Sequence, residues 1–291
     1  MKAAAFDYIR ADSVEHALAL LAQHGADAKL VAGGQSLVPM MAMRLARPAL
    51  LVDINRLSEL KRMSSNPDSV SMGAAVRQRE VEDADQLATQ LPLVRKALSW
   101  VGHVQTRNRG TVGGSVVHAD PSAELALAAL LLGATMRLKS QADGERQVAA
   151  RDFFLGPMMT ATAETECLFA IDWPVWTGSR LACAFEETAI RHGDFALASA
   201  ACQIQLDARG TVSRASFGLG GVSGTPLEFP ALAKQLVGQI LTPALAQEVA
   251  QTAARECDPG SDMHASAPFR RHLAAVLLSR VLQQAAVQAA R

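Results

Sequence analysis

Two glycine pairs are the segments of this sequence whose residue types could bind a ligand. The first, Gly33-Gly34, follows the short apolar run Lys29–Val31 and precedes Ser36. Glycine allows positive φ angles and lets another group approach bare backbone, so several N–H groups can point outward from such a turn. Together with the positive end of a following helix dipole, these groups would favour a diphosphate. A simple strand–turn–helix corner would give the same pattern.

The helix expected after this turn, Met40–Ala46, bears on how many donors a ligand would find. If Ser36 is the N-cap, Pro39 falls at the third helical position and has no N–H group to offer. The Ser36 hydroxyl can then bond only the N–H of Val38. Two donors of the first helical turn would remain free for a ligand.

The second pair, Gly113-Gly114, lies between Thr111 and Ser115 and follows a polar loop that holds Arg107 and Arg109. Two glycine turns of this kind, each before a helix, predict that a large anionic ligand is held from two sides. The two arginines could instead belong to a solvated loop that is anchored to backbone carbonyls. The sequence leaves both interpretations open.

The helix expected after the second pair carries an acidic residue in its first turn. Asp120 before Pro121 is a suitable N-cap and first-position pair for a helix over Ser122–Leu132, which Gly133 ends. Glu124 is then favoured by the helix dipole. It could also accept hydrogen bonds from ligand hydroxyls.

No metal or catalytic motif is recognisable in the sequence. The four cysteines form no C-x-x-C pair, the seven histidines are scattered, and H-E-x-x-H does not occur. Any metal centre must therefore belong to another chain, and we expect the cysteines to be buried, reduced and structural. Gly218–Gly224 looks like a dinucleotide fingerprint, but its final glycine comes one place too late and no helix pattern starts before about Ala231. We interpret it as a structural turn.

Charge and hydropathy exclude several classes of partner. The chain has 291 residues, of which 28 are basic and 28 acidic. Without a basic cluster there is no electrostatic footprint for nucleic acid or an anionic membrane. Residues 1–10 lack the apolar run of a secretory signal, and the longest apolar stretch, Leu125–Met136, is too short to span a bilayer. We therefore expect a soluble protein of the cytoplasm.

Periodicity and turn residues predict an α+β fold. The predicted helices are Ser13–Gly25, Met40–Ala46, Arg79–Gln90, Pro92–Val101, Ser122–Leu132 and two or three helices between Ala231 and Arg291. The predicted strands are Lys29–Val31, Leu50–Ile54, Ser69–Gly73, Thr135–Lys139, Arg146–Ala149, Glu166–Asp172, Ala182–Ile190, Ala196–Leu206 and Val212–Leu219. The segments predicted to be irregular are a turn over Met63–Asp68, a polar loop over Gly102–Gly110 and a linker over Trp173–Ser179. The last three strands predict a three-stranded antiparallel sheet covered by helices.

Four ordered segments resemble the FAD-binding (medium) subunit of molybdenum hydroxylases, in the carbon monoxide dehydrogenase branch of the xanthine dehydrogenase family. Lys29–Pro48 resembles the first flavin-binding signature of that subunit, and Arg107–Leu125 resembles the second. Phe185–Ala196 is similar to a third segment, and Asp258–Leu273 resembles the start of the closing helix of its C-terminal domain. The resemblance covers nearly the full chain.

The resemblance implies an α+β fold with a two-lobed FAD-binding domain of the vanillyl-alcohol-oxidase/PCMH-like type over residues 1–176. Its lobes would span about 1–56 and 57–176, and a small C-terminal α+β domain of the molybdenum hydroxylase flavoprotein type would span 177–291. The implied cofactor is FAD. The residues implied to contact it are Lys29, Leu30, Val31, Ala32, Gly33, Gly34, Gln35, Ser36, Leu37, Val101, Thr111, Gly113, Gly114, Ser115, Asp120, Glu124, Leu168 and Glu186.

The resemblance also implies a function. In that family a large molybdopterin subunit hydroxylates the substrate, and electrons pass through two-iron two-sulfur clusters of a small subunit to the FAD. The chain is thus expected to be an oxidoreductase subunit that passes electrons to NAD, oxygen, a quinone or a redox protein, with no catalytic residue acting on the substrate. The expected assembly is a dimer of heterotrimers. The alternatives are a self-sufficient FAD-dependent oxidase or reductase with its own substrate site, and a flavin-free scaffold protein.

Overall fold

The first part of the chain builds a small parallel sheet. The computed structural model describes residues 2–290. The elements of the first part are β1 (Asp7–Arg10), α1 (Val14–His24), β2 (Ala28–Val31), α2 (Leu37–Ala42) and β3 (Leu50–Asp53). The strands lie in the order β1–β3–β2, and both pairs are parallel, so all three carboxyl ends meet at one edge. The predicted β-α-β unit is confirmed, with β1 as an unpredicted third strand.

Of the two helices of this part, α1 has its predicted bounds and α2 does not. Helix α1 begins at its predicted cap, because the Ser13 hydroxyl accepts a hydrogen bond from the His16 N–H at 3.0 Å. It ends at Gly25, which has a positive φ of 51°. Helix α2 lies earlier in the chain than predicted. Arg44 adopts a φ of 60°, and the Leu45 N–H donates to the carbonyl of Met40 at 2.9 Å, which closes the helix.

Residues 62–174 form an antiparallel sheet covered by helices. The strands are β4 (Met63–Ser65), β5 (Ser69–Gly73), β6 (Thr135–Ser140), β7 (Gly144–Ala149), β8 (Phe154–Gly156), β9 (Met159–Thr160) and β10 (Glu166–Pro174). The helices are α3 (Gln78–Asp83), α4 (Asp85–Gln90), α5 (Pro92–Leu98), α6 (Val104–Arg109), α7 (Val112–His118), α8 (Glu124–Leu132) and α9 (Ala150–Phe153). The sheet order is β4–β5–β10–β6–β7, and β8 pairs with β9 separately. Helix α8 is buried along nearly its whole length.

Several local predictions in this part are wrong. The predicted turn Met63–Asp68 begins with β4, an edge strand that pairs with β5. The predicted polar loop Gly102–Gly110 contains α6, which has no apolar period by which it could have been recognised. The predicted helix Arg79–Gln90 divides into α3 and α4 at Ala84, whose ψ of 101° is extended. Gly113-Gly114 lies inside α7 rather than in a turn.

The start of α8 also differs from its prediction. The helix begins at Glu124, two residues later than predicted. The Asp120 carboxylate accepts a hydrogen bond from the Ser122 N–H at 2.8 Å, so it stabilises a turn before the helix rather than the helix itself. The end of the helix at Gly133, with a φ of 68°, is as predicted.

The remaining residues form a second antiparallel sheet with three helices. Its elements are β11 (Leu181–Thr188), β12 (Ala198–Leu206), β13 (Val212–Gly220), β14 (Leu227–Glu228), α10 (Pro230–Leu236), α11 (Pro243–Arg255) and α12 (Ala267–Ala289). The sheet has four strands in sequential order, so the prediction of three is wrong. Gly218–Gly224 ends β13 and leads into β14, and no helix follows before Pro230, which confirms the structural turn. The predicted linker starts too early, because Trp173 and Pro174 belong to β10.

The second antiparallel sheet packs directly on the helices of the middle part. Helix α8 contacts β12 and β13, while α5 contacts β11. The Ser122 hydroxyl donates to the carbonyl of Ala196 at 2.9 Å, and the Gly221 N–H donates to the carbonyl of Pro121 at 2.8 Å. These bonds fix the start of α8 against the second sheet.

All four cysteines are buried, as predicted, and none is joined in a disulfide. Within residues 2–290, no helix is both long enough and apolar enough to cross a membrane. Location in the cytoplasm stays a prediction.

Candidate cofactor site

The turn after β2 opens a cleft at the carboxyl edge of the parallel sheet. Ala32–Gln35 line this cleft together with Tyr8, Asp53 and Arg109, and its volume is about 570 Å³. Ligands of open parallel sheets bind at this edge, beyond the ends of the strands. The cleft is therefore the candidate site of the first part of the chain.

Residues 33–37, of which Gly33, Gly34 and Gln35 line the cleft, carry free backbone donors. Among residues 2–290, the N–H groups of 33–37 find no acceptor. Gly34 has a φ of 70°, which turns the chain sharply between β2 and α2. A run of free N–H groups before a helix is the arrangement that binds phosphate oxygens. The loop thus fits the diphosphate of a dinucleotide.

Ser36 does not act as the predicted cap. Its φ and ψ of −102° and −48° are helical, and its hydroxyl makes no capping hydrogen bond within the described chain. The N–H of Val38, which was its predicted partner, donates to the carbonyl of Gly34 at 3.1 Å instead. The Ser36 hydroxyl is consequently available to a ligand.

Gly33 lies against the backbone of the middle part, at the end of α6. A Cβ atom at this position would lie 2.4 Å from the carbonyl oxygen of Arg109 and 2.9 Å from the Cα of Gly110. Backbone atoms cannot rotate away as a flexible side chain could, so only glycine allows this approach. The contact brings the loop after β2 next to the end of α6.

A chain of hydrogen bonds runs from β1 to the end of α6. The Tyr8 hydroxyl and the Asn55 side chain donate to the Asp53 carboxylate. Arg77 donates to Asn55 Oδ1 at 2.7 Å and to the carbonyl of Arg109. Burial alone would raise the pKa of Asp53, but the hydrogen bonds from Tyr8 and Asn55 lower it below its usual value. Asp53 is therefore a carboxylate, and the network ties the cleft's two walls together.

Tyr8, Asn55 and Arg77 were not recognisable as site residues from the motifs of the sequence. The spacing of Asp53 and Asn55 after a buried strand was a usable signal, because aspartate side chains bond the backbone two residues on. Arg77 carried no such signal, since its acceptors lie 22 and 32 residues away.

Replacing Arg77 by methionine is expected to lower the free energy of unfolding by about 2–3 kcal/mol, since two acceptors lose a charged donor. Urea unfolding measures this change. The matched control is Arg79→Met, because Arg79 is 41% exposed and forms ion pairs with Glu82, which is 20% exposed, and with Asp83, which is 55% exposed. That control should change stability by less than about 1 kcal/mol. Equal losses in the two variants would contradict the role of Arg77.

The second glycine pair offers no free backbone donors and instead allows close packing of the backbone. The first-turn N–H groups of α7 all have protein acceptors: Val112 bonds Val76, Gly113 bonds Ala74, Gly114 bonds Thr111 Oγ1, and Ser115 bonds the Thr111 carbonyl. A Cβ atom on Gly113 would lie 2.5 Å from that of Ala74, so this glycine is needed for packing. The exposed surface of Gly114 and the Ser115 hydroxyl remain for contact with a ligand.

Arg107 and Arg109 have different environments. Arg107 donates to both oxygens of Glu82, at 3.0 and 3.1 Å, and also to the carbonyls of Val101 and Gly102. Its side chain is only 11% exposed. It therefore anchors its own segment, which is the alternative that the sequence left open. Arg109 is exposed and lines the cleft opposite the loop after β2.

The other residues implied by the resemblance occupy several places. Lys29 and Leu30 belong to β2, and Val101 and Leu168 are buried in the core of the middle part. Glu186 faces α12, where it contacts Gln284 and Arg280. The structure thus groups residues 31–35 with Arg109 around the cleft and leaves Glu186 apart. The cofactor role of each residue stays a prediction.

Two acids, the half-buried Glu124 and the buried Glu187, lie where the second antiparallel sheet meets α8. Burial raises the pKa of Glu124 to about 7, and Asp120 adds to the shift. Burial raises the pKa of Glu187 to about 8, and Glu124 adds to that shift. The carboxyl groups are thus partly protonated near neutral pH.

These two acids should make the protein less stable as the pH rises. Each acid has a higher pKa in the folded chain than in the unfolded chain. At any pH between the unfolded and the folded pKa of an acid, the folded chain therefore binds more protons than the unfolded chain. The stabilisation is complete below the unfolded pKa of about 4.5 and is lost as the pH rises through the folded values. From about pH 6 to 8, the free energy of unfolding should fall by roughly 2–4 kcal/mol. Urea unfolding at both pH values tests this, and a stability that stays level or rises would contradict it.

Comparison with known proteins assigns this chain to a family. Residues 4–176 match the model of the FAD binding domain in molybdopterin dehydrogenase, and residues 183–285 match the CO dehydrogenase flavoprotein C-terminal domain. The chain is 36% identical to the 6-hydroxypseudooxynicotine dehydrogenase complex subunit alpha of Paenarthrobacter nicotinovorans, over 98% of this chain and 96% of that protein. It is 37% identical to the carbon monoxide dehydrogenase medium chain of Afipia carboxidovorans, over 98% of each.

Comparison with a solved structure supports the same family assignment. Carbon monoxide dehydrogenase from Hydrogenophaga pseudoflava superposes with a TM-score of 0.95 at 34% identity, covering 99% of each chain. The chain therefore belongs to the family of FAD-binding medium subunits of the molybdenum hydroxylases. It is an oxidoreductase subunit whose cofactor is FAD, and the resemblance and the fold class are confirmed.

Proposed function

We propose that this chain carries electrons from iron–sulfur clusters of a partner subunit through FAD to an external acceptor. The observation that carries the proposal is the row of free N–H groups at residues 33–37, the first three of which line the cleft together with Arg109. When bound, FAD supplies the redox chemistry, because it accepts electrons singly and can deliver two. The relatives named as a medium chain and as a subunit of a dehydrogenase complex support a role inside an assembly.

The proposed cofactor contacts divide by chemistry. Residues 33–37 would donate backbone hydrogen bonds to the diphosphate, and Arg109 would supply positive charge. Gly114 and Ser115 would contact the cofactor from the start of α7.

We also propose the domain division given by the resemblance, with a FAD-binding domain over 1–176 and a C-terminal domain over 177–291. Two groups of buried residues, one mainly within 11–60 and one mainly within 70–173, support further division of the first domain into lobes, and a third group lies within 182–289.

The proposed partners are a large molybdopterin subunit and a small iron–sulfur subunit, as a dimer of heterotrimers. Affinity purification through a tag on this chain tests the proposal, followed by metal analysis and FAD quantification. The native complex should contain molybdenum, iron and FAD, whereas the chain expressed alone should retain FAD without molybdenum or iron. Screening NAD, oxygen, a quinone analogue and a dye as oxidants of the complex then identifies the external electron acceptor.

Two results would overturn this proposal. A chain that purifies without partners and oxidises a substrate by itself would be a self-sufficient flavoenzyme. A chain that contains no flavin in the native complex would be a scaffold.

A further inference from the structure

The cleft of the parallel sheet has a second end, away from the contact between Gly33 and the end of α6. The Tyr8 hydroxyl and the Asn55 side chain both donate to the Asp53 carboxylate. Arg77 then joins Asn55 to the carbonyl of Arg109. Tyr8 and Arg109 are thus the two ends of one chain of hydrogen bonds, and both line the cleft. Since the loop after β2 meets the Arg109 end, the Tyr8 end is left for another part of the ligand.

This second end is aromatic and apolar. Phe6 is 41% exposed, Tyr8 is 55% exposed, and Val38 in the first turn of α2 is 52% exposed. All of them line the same cleft. Large apolar side chains that are grouped and open to solvent are typical of a ligand-binding groove. Aromatic rings in particular contact flat nucleobases by stacking.

Asp53 retains hydrogen-bonding capacity at this end. Its Oδ1 accepts from both the N–H and the side-chain amide of Asn55, each at 2.7 Å. Among residues 2–290, its Oδ2 accepts only from the Tyr8 hydroxyl. Each oxygen of a carboxylate can accept two hydrogen bonds, so Oδ2 has one free position. Because Asp53 is half-buried rather than enclosed, a ligand hydroxyl can reach that position.

The place of Asp53 in the chain is that of a ribose-binding acid. It ends β3, which pairs in parallel with β2, and it follows Gly33 by 20 residues. In dinucleotide-binding β-α-β units, an acid about 20 residues after the glycine turn binds ribose hydroxyls. FAD has a ribose only in its adenosine half, because its flavin half carries an open ribityl chain. The position of the acid therefore favours the adenosine half at this end.

We propose that the Tyr8 end of the cleft binds the adenosine half of FAD, with Asp53 accepting a ribose hydroxyl and with Phe6 and Tyr8 contacting the adenine. This inference rests on the proposed function, because it needs FAD as the ligand and the loop after β2 as its diphosphate site. The flavin half then extends from the diphosphate toward α7, where Gly114 and Ser115 are proposed to contact the cofactor.

Titration of the flavin-free native complex tests this placement. The ligands are FAD, FMN, which lacks the adenosine half, and an FAD analogue whose adenosine ribose lacks both hydroxyls. Wild type should bind the analogue about tenfold more weakly than FAD, as expected for the loss of a hydrogen bond to a charged group. Asp53→Asn should bind FAD about tenfold more weakly than wild type does, and it should discriminate little between FAD and the analogue. Its affinity for FMN should equal that of wild type.

Two further variants complete the test. Tyr8→Leu should lower FAD affinity about tenfold through lost stacking, with FMN affinity unchanged. Asp27→Asn is the matched control, because Asp27 is exposed and lies just before β2, at the opposite edge of the same sheet. It should bind every ligand as wild type does. Urea unfolding of each variant separates lost contacts from a lost fold.

The outcomes separate this inference from the proposed function. A wild-type complex that binds FAD and the analogue equally overturns the inference and leaves the FAD-carrying role intact. Full discrimination between these two ligands in Asp53→Asn also overturns it, as does weaker FMN binding, which would place the flavin half at this end. A native complex that contains no FAD overturns both proposals. Because wild type alone compares FAD with the analogue, the inference can be overturned even if Asp53→Asn fails to assemble.

Discussion

Gly33→Ala is expected to remove most of the FAD from this protein. The added Cβ atom would lie 2.4 Å from the Arg109 carbonyl oxygen and 2.9 Å from the Gly110 Cα, well inside contact distance. Both neighbours are backbone, so the two walls of the cleft must separate. Overpacking of this kind costs about 1–3 kcal/mol. Since the displaced backbone is the one proposed to bind the diphosphate, FAD affinity should fall by roughly 10–100-fold.

FAD content per chain and the unfolding midpoint measure this effect. Gly260→Ala is the control, because no atom lies within 4 Å of its added Cβ and its φ is not positive. Gly34→Ala should give an intermediate result. Its φ is 70°, which strains any other residue, but its nearest neighbour is a Val38 methyl at 3.1 Å, which can move. Full FAD content in Gly33→Ala would contradict the assignment of this loop.

The position of this loop could be predicted because its signal is local. An apolar run, paired glycines and a second apolar run define β2, the turn and β3 within a short stretch of chain. The same holds for β5 and α1. The strand β1 was missed because its residues are exposed or half-buried, so they show no clear apolar pattern. The strand β14 was missed because two residues are too short to show any period.

The rest of the site could not be predicted because it depends on distant contacts. The need for glycine at position 33 comes from backbone 76 residues further along the chain. The Tyr8–Asp53 bond joins residues 45 apart. The second glycine pair looked like the first in sequence. The N–H groups of the helical turn that contains it, however, are hydrogen-bonded to Ala74, Val76 and Thr111. Residue type gave the location of the two segments, and tertiary contacts decided what each one offers to a ligand.

The two arginines of α6 are expected to have distinct roles, because Arg107 stabilises the fold and Arg109 lines the cleft. Arg107→Met should lower the free energy of unfolding by about 2–4 kcal/mol, because Glu82 stays half-buried and two carbonyls lose their charged donor. Burial alone would raise the pKa of Glu82, but Arg107 and Arg79 lower it, so Glu82 is a carboxylate beside Arg107 and loses its main partner in this variant. Arg79 keeps part of that charge paired, which limits the loss.

Arg109→Met should have the opposite profile. Arg109 is exposed and is among the residues that line the cleft, and the structure uses only its backbone carbonyl in the contact with Arg77. Stability should therefore change by less than about 0.5 kcal/mol, as for an exposed position. FAD affinity should fall by about tenfold, because one charge opposite an anionic ligand contributes about 1.5 kcal/mol or more. Isothermal titration with FAD and urea unfolding, applied to both variants, measure the two properties independently. If Arg107→Met lost affinity with full stability while Arg109→Met did the reverse, the roles assigned to these two side chains would have to be exchanged.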